Sequence, residues 1–577
     1  MLETGVLASL VLLVVLLVRG TGRPAVLFGG LLALYYFAGL IETKTMLQNF
    51  VNPSLMVLVL LIILSSVIER TAVVEWMARF AFSTNRFASL LRFTGMTSLF
   101  SAFLNNTAVV ASMLGMAKNN RHMLPSKILI PLSYAAIFGG TMTLIGTSTN
   151  LIVNGFVIEA GLEPIGLFDF LYVGLPIVVV GTLFLSLAGP ALLPDYDAKK
   201  EKEEAQYFLE ARVEEGSPLI GRSIQENGLR NMEQLFVAEL LRGKELVSPV
   251  TPREVLQAGD VLIFTGNMRD VHELNRFKGL SIFDDSRCTL QTNLTEVVVS
   301  HESNLVGKTI KEAEFRMKFD AAVVAVRRGN EKLSGKLGNI RMQAGDTLLL
   351  AAGEDFSKRD NLKKNFYFVS DRPLTKKFDA KSSLTIMMLF LGVIVLSAMK
   401  IILFLKGLLF LLGLFLFMKF LDLAEIKRTF PFELVLIIGS ALGIAQVLMQ
   451  SGVAGMLGTF ITATTDWMGV YGSFAAIYLM TFLLTEIITN NAAAALSFPI
   501  AYATSVSLGA DPMPFVMAVA YGASASFLSP YGYQTNLMVY GPGGYKFGDY
   551  VRIGLPVSLL YSVVVLTLVP LFFPFSG

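Results

Sequence analysis

The distribution of charge divides the sequence into three parts. Of its 47 basic and 44 acidic residues, 60 in total lie between positions 195 and 382. The two flanking parts are strongly apolar, and hydrophobic residues make up 54% of the whole chain of 577 residues. Apolar runs of 17 or more residues are typical of membrane spans. A chain that is soluble, disordered or collagen-like throughout is therefore excluded.

Several other classes are excluded by residue counts. The single cysteine, Cys288, excludes a disulfide framework and a cysteine metal cluster. His122, His272 and His301 lie outside the most apolar runs, so a buried histidine proton relay is not expected. The net charge of +3 is too small to indicate nucleic-acid binding. The first apolar run has no basic start and no cleavage motif, which predicts a retained span.

Each apolar part contains five predicted spans and one longer, interrupted stretch. The spans are predicted at 3–19, 25–41, 52–68, 128–150 and 170–190, and again at 383–399, 402–420, 430–450, 513–537 and 552–574. The interrupted stretches, 88–118 and 471–503, each have an Asn-Asn pair near the middle. We interpret both as hairpins that enter the membrane halfway. Their tips must be buried in protein or line a cavity, because lipid cannot satisfy free backbone groups.

The two apolar parts repeat each other. The matching motifs are Ser101-x-x-x-Asn105-Asn106-Thr107-Ala108 with Thr485-x-x-x-Thr489-Asn490-Asn491-Ala492, Gly146-x-x-Thr149-Asn150-Leu151 with Gly532-x-x-Thr535-Asn536-Leu537, and Gly174-Leu175-Pro176 with Gly554-Leu555-Pro556. Because each half has an odd number of spans, the halves have opposite topology, as in many secondary transporters. The predicted fold is an all-α polytopic membrane protein. It is an inverted repeat, 1–193 and 383–577, of five spans plus one re-entrant hairpin each.

Loop charge predicts the orientation. Basic residues occur in one group of loops, at Arg19, Arg23, Arg70, Arg79, Lys118, Arg121, Lys127, Lys427, Arg428, Lys546 and Arg552. The loops predicted at 150–168, 451–472 and 506–512 contain none. The positive-inside rule places the basic group in the cytoplasm. A multi-pass protein of the plasma (bacterial inner) membrane is expected, with both termini outside and residues 195–382 cytoplasmic. The hairpin at 88–118 is then the inner one and that at 471–503 the outer one.

The polar block is itself a tandem repeat with an offset of 86 residues. Ala258-Gly259-Asp260 matches Ala344-Gly345-Asp346, and each turn precedes a β-type run. Two cytoplasmic α/β domains are predicted, at 205–280 and 291–362. The stretch 195–204 would lead into them, and the basic stretch 363–381 would lead back to the membrane.

The hairpin tips and broken spans concentrate the small polar residues of the membrane part. Free carbonyls at a broken helix, together with Asn, Ser and Thr oxygens, suit Na⁺, whereas free N–H groups suit an anion. Asn150 and Asn536 follow the breaks and offer side-chain oxygens. No Lys or Arg lies in these elements, so bound cations and helix ends would balance an anion. The alternative for each Asn-Asn pair is hydrogen bonding between helices; the symmetric placement of the two pairs favours a site.

Three further residues have open roles. Glu486 is the one carboxylate in either hairpin core, and it either functions as an intramembrane ionisable group or supports the hairpin tip. Tyr531 and Tyr533 flank the second break, where they either shape the site or pack at an interface.

These motifs resemble the divalent anion–sodium symporter family over about 1–193 and 383–577. The resemblance implies substrate binding at both hairpin tips, two Na⁺ sites, an elevator mechanism and a homodimer. Carried over by position, the substrate-binding residues are Asn105, Asn106, Thr107, Thr489, Asn490 and Asn491. The expected Na⁺ ligands, including the two asparagines after the breaks, are Ser101, Asn105, Asn106, Gly146, Asn150, Thr485, Asn490, Gly532 and Asn536.

The hairpin motifs depart from the family's Ser-Asn-Thr pattern. Asn105 and Thr489 stand where that pattern has serine, and Asn491 stands where it has threonine. These changes make dicarboxylate recognition doubtful and favour a smaller tetrahedral anion such as sulfate. The central repeats resemble the C-terminal domain of regulators of K⁺ conductance (TrkA-C), without the G-x-G-x-x-G of a nucleotide-binding partner domain. Family members with this insert include presumed sulfate transporters, which also favours sulfate.

The leading hypothesis is therefore Na⁺-coupled symport of a divalent inorganic anion, with sulfate as the favoured substrate. A Na⁺-coupled dicarboxylate transporter is the alternative. An ion channel gated by the insert is less consistent with the sequence, because no T-V-G-Y-G filter occurs. An enzyme is not expected, since no catalytic motif is present. For the insert, sensing of a ligand such as a nucleotide and a passive dimer clamp both stay open. Nucleic acid is not an expected partner.

Overall fold

The computed structural model describes residues 2–576 with gaps. Outside the described residues lie 1, 20–21, 72–84, 119, 121–122, 197–207, 230–234, 244, 248–249, 267–273, 275, 283–293, 302, 334–336, 354, 357–358, 360–361, 370–377 and 577. His122, His272 and Cys288 fall in these gaps, as do Arg79 and Arg121 of the basic loops. Most of the incoming linker and the middle of the outgoing one are also outside.

The first apolar part folds into ten helices within the described residues. They are α1 (Leu2–Val18), α2 (Pro24–Phe37), α3 (Thr43–Phe50), α4 (Pro53–Ile68), α5 (Arg86–Ser101), α6 (Asn106–Lys118), α7 (Pro125–Gly140), α8 (Ser148–Glu159), α9 (Leu171–Leu187) and α10 (Gly189–Leu192). Helix starts follow local chemistry. Asn52 accepts a hydrogen bond from Ser54 N (2.9 Å) ahead of Pro53, and Asn85 accepts from Phe87 N (3.0 Å) at the start of α5.

The polar block forms two antiparallel sheets of five strands each. The strands are β1 (Phe208–Val213), β2 (Leu235–Arg242), β3 (Glu245–Val247), β4 (Val261–Gly266), β5 (Leu280–Ile282), β6 (Leu294–Val299), β7 (Ala321–Arg328), β8 (Glu331–Leu333), β9 (Thr347–Ala352) and β10 (Phe366–Phe368). The strand orders β3-β2-β4-β1-β5 and β8-β7-β9-β6-β10 are the same. Two short helices accompany the second sheet, α11 (Phe315–Phe319) and α12 (Leu362–Asn365).

The two sheets share the same turn and the same ion pair, in which an arginine contacts a buried aspartate. Gly259 and Gly345 have φ of +83° and +86°, a conformation that glycine adopts without strain. The aspartate after each glycine is buried. Asp260 receives two hydrogen bonds from Arg242 (3.0 and 2.9 Å), and Asp346 receives two from Arg328 (2.7 and 2.9 Å). The tandem repeat inferred from the sequence thus has the same architecture in both copies.

The second apolar part folds into ten helices, again within the described residues. They are α13 (Ala380–Ala398), α14 (Phe404–Phe417), α15 (Leu423–Thr429), α16 (Phe432–Gln450), α17 (Val453–Thr465), α18 (Gly469–Ile487), α19 (Asn490–Leu508), α20 (Pro512–Ser524), α21 (Gln534–Tyr540) and α22 (Phe547–Phe572). Helices α1–α4 correspond in order to α13–α16, and α5–α9 correspond to α18–α22. The stretch that would match α17, residues 72–84, is outside the described residues.

The helices have the length and composition of a multi-pass membrane protein. Among the described residues, five helical segments are long and apolar enough to span a membrane: Thr43–Ile68, Ala380–Ala398, Phe432–Gln450, Val453–Ile487 and Phe547–Phe572. Shorter apolar helices accompany them: Leu2–Val18, Pro24–Phe37, Leu171–Leu187 and Phe404–Phe417. The predicted all-α membrane fold with a separate polar insert is confirmed.

Two of the loop predictions made from the sequence are wrong. Residues 150–168 were expected to be loop, but α8 occupies their first part. The backbone leaves the helix earlier, at Thr141, and Asn150 lies inside the following helix. Residues 451–472 contain α17. Its small and hydroxyl-bearing residues lower its hydropathy, but they allow close packing: a Cβ on Gly458 would lie 3.0 Å from Thr504 N of α19.

The two hairpins, α5–α6 and α18–α19, pack in the same way. Helix α5 packs on α7, and α18 packs on α20. The short helices after the breaks cross to the other half, where α21 contacts α6 and α7 and α8 contacts α19 and α20. The two halves of the membrane part therefore pack against each other around the hairpin tips.

The buried ion pair of the second sheet is testable. Arg328→Met leaves the Asp346 carboxylate buried without its counter-ion, and we expect a loss of about 3 kcal/mol of domain stability. Hydrogen–deuterium exchange of β7 and β9 in the full-length protein should rise. Arg359→Met, at an exposed position of the same domain, serves as the control. Exchange unchanged in Arg328→Met would contradict the assignment.

Candidate functional site

One cavity connects the motifs singled out in the sequence. It has a volume of about 1000 Å³ and lies between the two hairpins. Its hairpin and break residues are Asn105, Asn106, Thr107, Gly146, Thr147, Ser148, Thr489, Asn490, Asn491, Tyr531, Gly532, Tyr533 and Gln534. Its outer walls come from α4, from the α15–α16 region and from the second insert domain. The cavity therefore lies between the hairpin tips and the second insert domain.

Each hairpin tip presents the start of a helix to this cavity. Asn105 Oδ1 accepts a hydrogen bond from Thr107 N (2.9 Å) at the start of α6. Thr489 Oγ1 accepts from Ala492 N (3.4 Å) at the start of α19. Both capping residues are exposed in the cavity. The free N–H groups and the dipole of each helix favour negative charge at this end.

The broken helices are held by asparagines at matching positions. The Asn150 amide nitrogen donates to the Thr143 carbonyl oxygen (2.9 Å). The Asn536 amide nitrogen donates to the carbonyl oxygens of Ser526 (3.0 Å) and Ser529 (3.2 Å). Each asparagine thus satisfies carbonyls that the break leaves free. Their part as Na⁺ ligands stays a prediction.

Each hairpin tip is hydrogen-bonded to the broken helix of the other half. Thr107 Oγ1 donates to Gln534 Oε1 (2.9 Å), and Ser148 Oγ donates to Asn491 Oδ1 (3.0 Å). Thr107 matches Asn491 and Ser148 matches Gln534 in the internal repeat, so the two bonds are related by the same symmetry. The hydroxyls of Thr147 and Tyr533, which also match, are 3.3 Å apart.

The first predicted cation cluster is buried and uncharged. Ser101 Oγ and the Tyr533 hydroxyl each lie 2.6 Å from an atom of the Asn106 amide. The amide is best satisfied with its nitrogen toward Ser101 Oγ and the Gly146 carbonyl oxygen (3.1 Å) and with its oxygen toward Tyr533. Ser101, Asn106 and Gly146 are therefore brought together, whereas the Asn105 side chain turns to its own helix start.

The second cluster repeats this arrangement. Thr485 Oγ1 lies 3.2 Å from Asn490 Oδ1 and donates to the Ala523 carbonyl oxygen (2.6 Å). A Cβ on Gly532 would lie 3.3 Å from the Thr485 carbonyl oxygen. Within the described part of the chain, no group of three or more His, Cys, Asp or Glu residues is placed to hold a metal ion. The oxygens that surround this cluster are those of hydroxyl, amide and carbonyl groups, with the Glu486 carboxylate beside Gly532.

Glu486 supports the second break. Its Oε1 accepts hydrogen bonds from Phe527 N (2.7 Å) and Leu528 N (2.9 Å), and Ser526 Oγ lies 3.4 Å from its Oε2. The carboxylate thus satisfies N–H groups of the non-helical segment between α20 and α21. Of the two roles left open by the sequence, this geometry favours the support role.

Cationic side chains line the cavity away from the hairpin tips. They are Arg70, Lys364, Lys427 and Arg428. Arg70 pairs with Glu425 (2.6 Å), and Lys364 lies 3.3 Å from Glu433. Glu69 and Glu433 line the same walls, so the lining carries four cationic and two anionic side chains. A small excess of positive charge on the walls would favour anions in the cavity.

Sequence reasoning missed several cavity residues. Ser148 and Gln534 directly follow the breaks at matching positions, and the internal repeat offered this signal. His301, Lys364 and Tyr367 belong to the insert, and no sequence pattern indicates which face of a small domain docks. Lys364 and Tyr367 lie in the stretch 363–381 that was expected to lead back to the membrane, because β10 pairs with β6 and extends the second sheet. Tyr533, left open between two roles, reaches Asn106 inside the cavity.

The comparisons with known proteins agree with a transporter. The sequence profile of the citrate transporter family (CitMHS) matches residues 11–520. A Chlamydomonas reinhardtii protein named "Putative sulfur deprivation response regulator" is 31% identical over 96% of this chain and 99% of its own length. An uncharacterized transporter of Synechocystis sp. is 30% identical over 93% of this chain and 91% of its own. Sodium/sulfate cotransporter 1 of C. reinhardtii is 28% identical over 64% of this chain and 43% of its own.

The close packing of α9 and α22 against the breaks is testable. A Cβ on Gly174 would lie 2.5 Å from the Thr141 carbonyl oxygen, and one on Gly554 would lie 2.2 Å from that of Phe527. Gly174→Ala and Gly554→Ala should each cost about 1–3 kcal/mol through overpacking and lower the melting temperature of the purified protein. Gly548→Ala, at an open position of α22, is the matched control. If Gly174→Ala or Gly554→Ala melts at the same temperature as wild type, the packing argument is refuted.

Proposed function

The chain belongs to the citrate transporter (CitMHS) family and is a multi-pass membrane anion transporter; from this premise we propose that it couples the import of a divalent inorganic anion, sulfate, to Na⁺. The family and the names of the relatives also indicate that the chain is not an enzyme. The resemblance of the chain to the divalent anion–sodium symporters is confirmed at the level of this family.

The observation that carries the anion site is the meeting of two helix starts in one cavity. Helices α6 and α19 come from opposite halves, and both begin at the hairpin tips. Their free N–H groups and the side chains of Thr489 and Asn491 provide donors without a fixed positive charge, and the Thr107 hydroxyl becomes a further donor when Gln534 releases it. An anion bound between them would contact both halves at once. This arrangement supports binding at Asn105, Asn106, Thr107, Thr489, Asn490 and Asn491.

Two Na⁺ ions would compensate the charge of the anion. The proposed ligands are the neutral oxygens beside each tip, from Ser101, Asn105, Asn106 and Gly146 at one and from Thr485, Asn490 and Gly532 at the other. Both groups sit where a broken helix leaves carbonyl oxygens free, which is a common Na⁺ environment in transporters. The names of the relatives that are sodium/sulfate cotransporters support this coupling.

The choice of sulfate depends on the side chains at the tips. A dicarboxylate needs one clamp for each of its carboxylates, and the two tips here are not equivalent: Asn105 faces the cavity at one and Thr489 at the other. A compact tetrahedral anion can be shared by both helix starts. The second candidate, a carboxylate substrate, is favoured by one observation, the citrate transporter family to which the chain belongs.

We further propose an elevator mechanism in a homodimer. The hairpins, the broken helices and α9 and α22 would move together, because the paired tips already join them. The remaining helices would form the scaffold and the dimer contact. The insert would lie in the cytoplasm, as the loop charges predict. That its domains are TrkA-C-like and bind a nucleotide stays a prediction, which a thermal-shift screen of the full chain with nucleotides would check.

The uptake of radiolabelled sulfate into proteoliposomes tests the proposal. Uptake should need Na⁺ and fall to background when choline replaces it. Asn106→Ala and Asn490→Ala should each reduce uptake at least about tenfold, because each loses an amide held at a hairpin tip. Thr464→Val, at an exposed position of α17, should transport as wild type does. Sulfate uptake that is equal in choline would refute Na⁺ coupling.

Restoring the Ser-Asn-Thr pattern tests the substrate choice. In the triple variant Asn105→Ser, Thr489→Ser and Asn491→Thr, succinate should inhibit sulfate uptake more strongly than in wild type. The half-inhibitory concentration of succinate should fall by about tenfold or more. The measurement is inhibition of sulfate uptake by succinate and by citrate. If wild type is already inhibited by succinate as strongly as by unlabelled sulfate, the substrate is a carboxylate and the sulfate assignment is wrong.

A further inference from the structure

His301 lies at the anion cavity although it belongs to the insert. It follows strand β6 of the second insert domain and lines the cavity together with Ser300 and Tyr367. Its Nε2 is 2.8 Å from Gln534 Nε2, and its Nδ1 is 3.1 Å from the Tyr367 hydroxyl. Gln534 in turn receives the hydrogen bond from Thr107 at the first hairpin tip.

The directions of these hydrogen bonds are linked. In this arrangement the Gln534 amide nitrogen faces His301 Nε2 and donates to it, so His301 Nε2 accepts. The ring hydrogen is then on Nδ1 and points to the Tyr367 hydroxyl. With its nitrogen fixed on His301, Gln534 turns its carbonyl oxygen toward Thr107, whose hydroxyl donates. Hydrogen bonds thus connect His301 of the insert, through Gln534, to Thr107 at the first hairpin tip.

The second insert domain is held in this position by contacts on several elements. Glu296 pairs with Lys118 at the end of α6, and Arg327 donates to the Gly541 carbonyl oxygen after α21. On the other wall of the cavity, Lys364 lies 3.3 Å from Glu433 of α16. His301 therefore reaches Gln534 only while this domain is docked.

We propose that His301 is a positioning residue that withholds the Thr107 hydroxyl from the anion while the second insert domain is docked. An anion needs hydrogen-bond donors, and in the docked arrangement the single hydroxyl hydrogen of Thr107 is used by Gln534. Without the His301 acceptor, the Gln534 amide can rotate and offer N–H to the Thr107 oxygen. The hydroxyl hydrogen is then available to the anion. This inference rests on the proposed anion site and adds its control by the insert.

The test compares KM and kcat of Na⁺-driven anion uptake in proteoliposomes. His301→Ala should lower KM for the transported anion by about threefold to tenfold, the net effect of one added hydrogen bond. His301→Gln keeps an acceptor oxygen and should restore a KM close to that of wild type. Lys311→Ala, at an exposed position of the same domain, is the control. A gain in affinity is not the effect that mere structural damage would produce.

The outcomes separate this inference from the proposed function. Sulfate, succinate and citrate are offered to wild type first, and KM is then taken with the anion that it carries. Absence of sulfate uptake by wild type counts against the sulfate proposal alone. A KM that is unchanged or raised in His301→Ala, or equally changed in His301→Gln, overturns the role of His301.

Discussion

Two helices of this protein are interrupted inside an apolar layer, and the satisfaction of their free backbone groups determines the rest of the site. Asn150 and Asn536 each turn an amide nitrogen back onto carbonyl oxygens of the preceding break. In the second half, Glu486 also accepts the free N–H groups of Phe527 and Leu528. An unsatisfied group in such a layer would cost several kcal/mol. Many polar residues of the membrane part therefore stabilise the broken helices. The site is formed by the donors and acceptors that these structural hydrogen bonds do not use.

The side chains that are available to a ligand differ between the two hairpin tips. The internal repeat gives both halves the same hairpin, the same break and the same asparagine. The side chains that meet at the centre are nevertheless unlike: Thr147 faces its counterpart Tyr533, and Thr107 corresponds to Asn491. A site built from two such halves has symmetric backbone geometry and asymmetric donors. This combination suits a small anion held by two helix starts, with its orientation fixed by unequal side chains.

The sequence predicts the membrane part well because its constraints are local. An Asn-Asn pair in the middle of an overlong apolar stretch has few solutions in lipid, and both hairpins follow from it. The boundaries of the broken helices were less predictable. The Thr-Asn motif suggested the end of a span. Asn150 instead lies within the next helix, and its side chain donates a hydrogen bond to a carbonyl oxygen of the preceding break. Helix α17 was missed because glycines and threonines replace the apolar residues that hydropathy detects. The docking of the insert depends on the three-dimensional arrangement of His301, Glu296 and Lys364, which no local pattern encodes.

The docked insert adds a condition that the membrane part alone does not have. The second domain contacts α6, which begins at the first hairpin tip, and α21, which follows the second break, and also α16 on the opposite wall of the cavity. If the tips move relative to that wall during transport, these contacts cannot all persist. Either the domain moves with the tips and loses Lys364–Glu433, or it stays with the wall and loses Lys118–Glu296 and His301–Gln534. In the second case the release of Gln534 coincides with the movement of the hairpin, so that the availability of Thr107 to the anion would change with the conformation of the transporter.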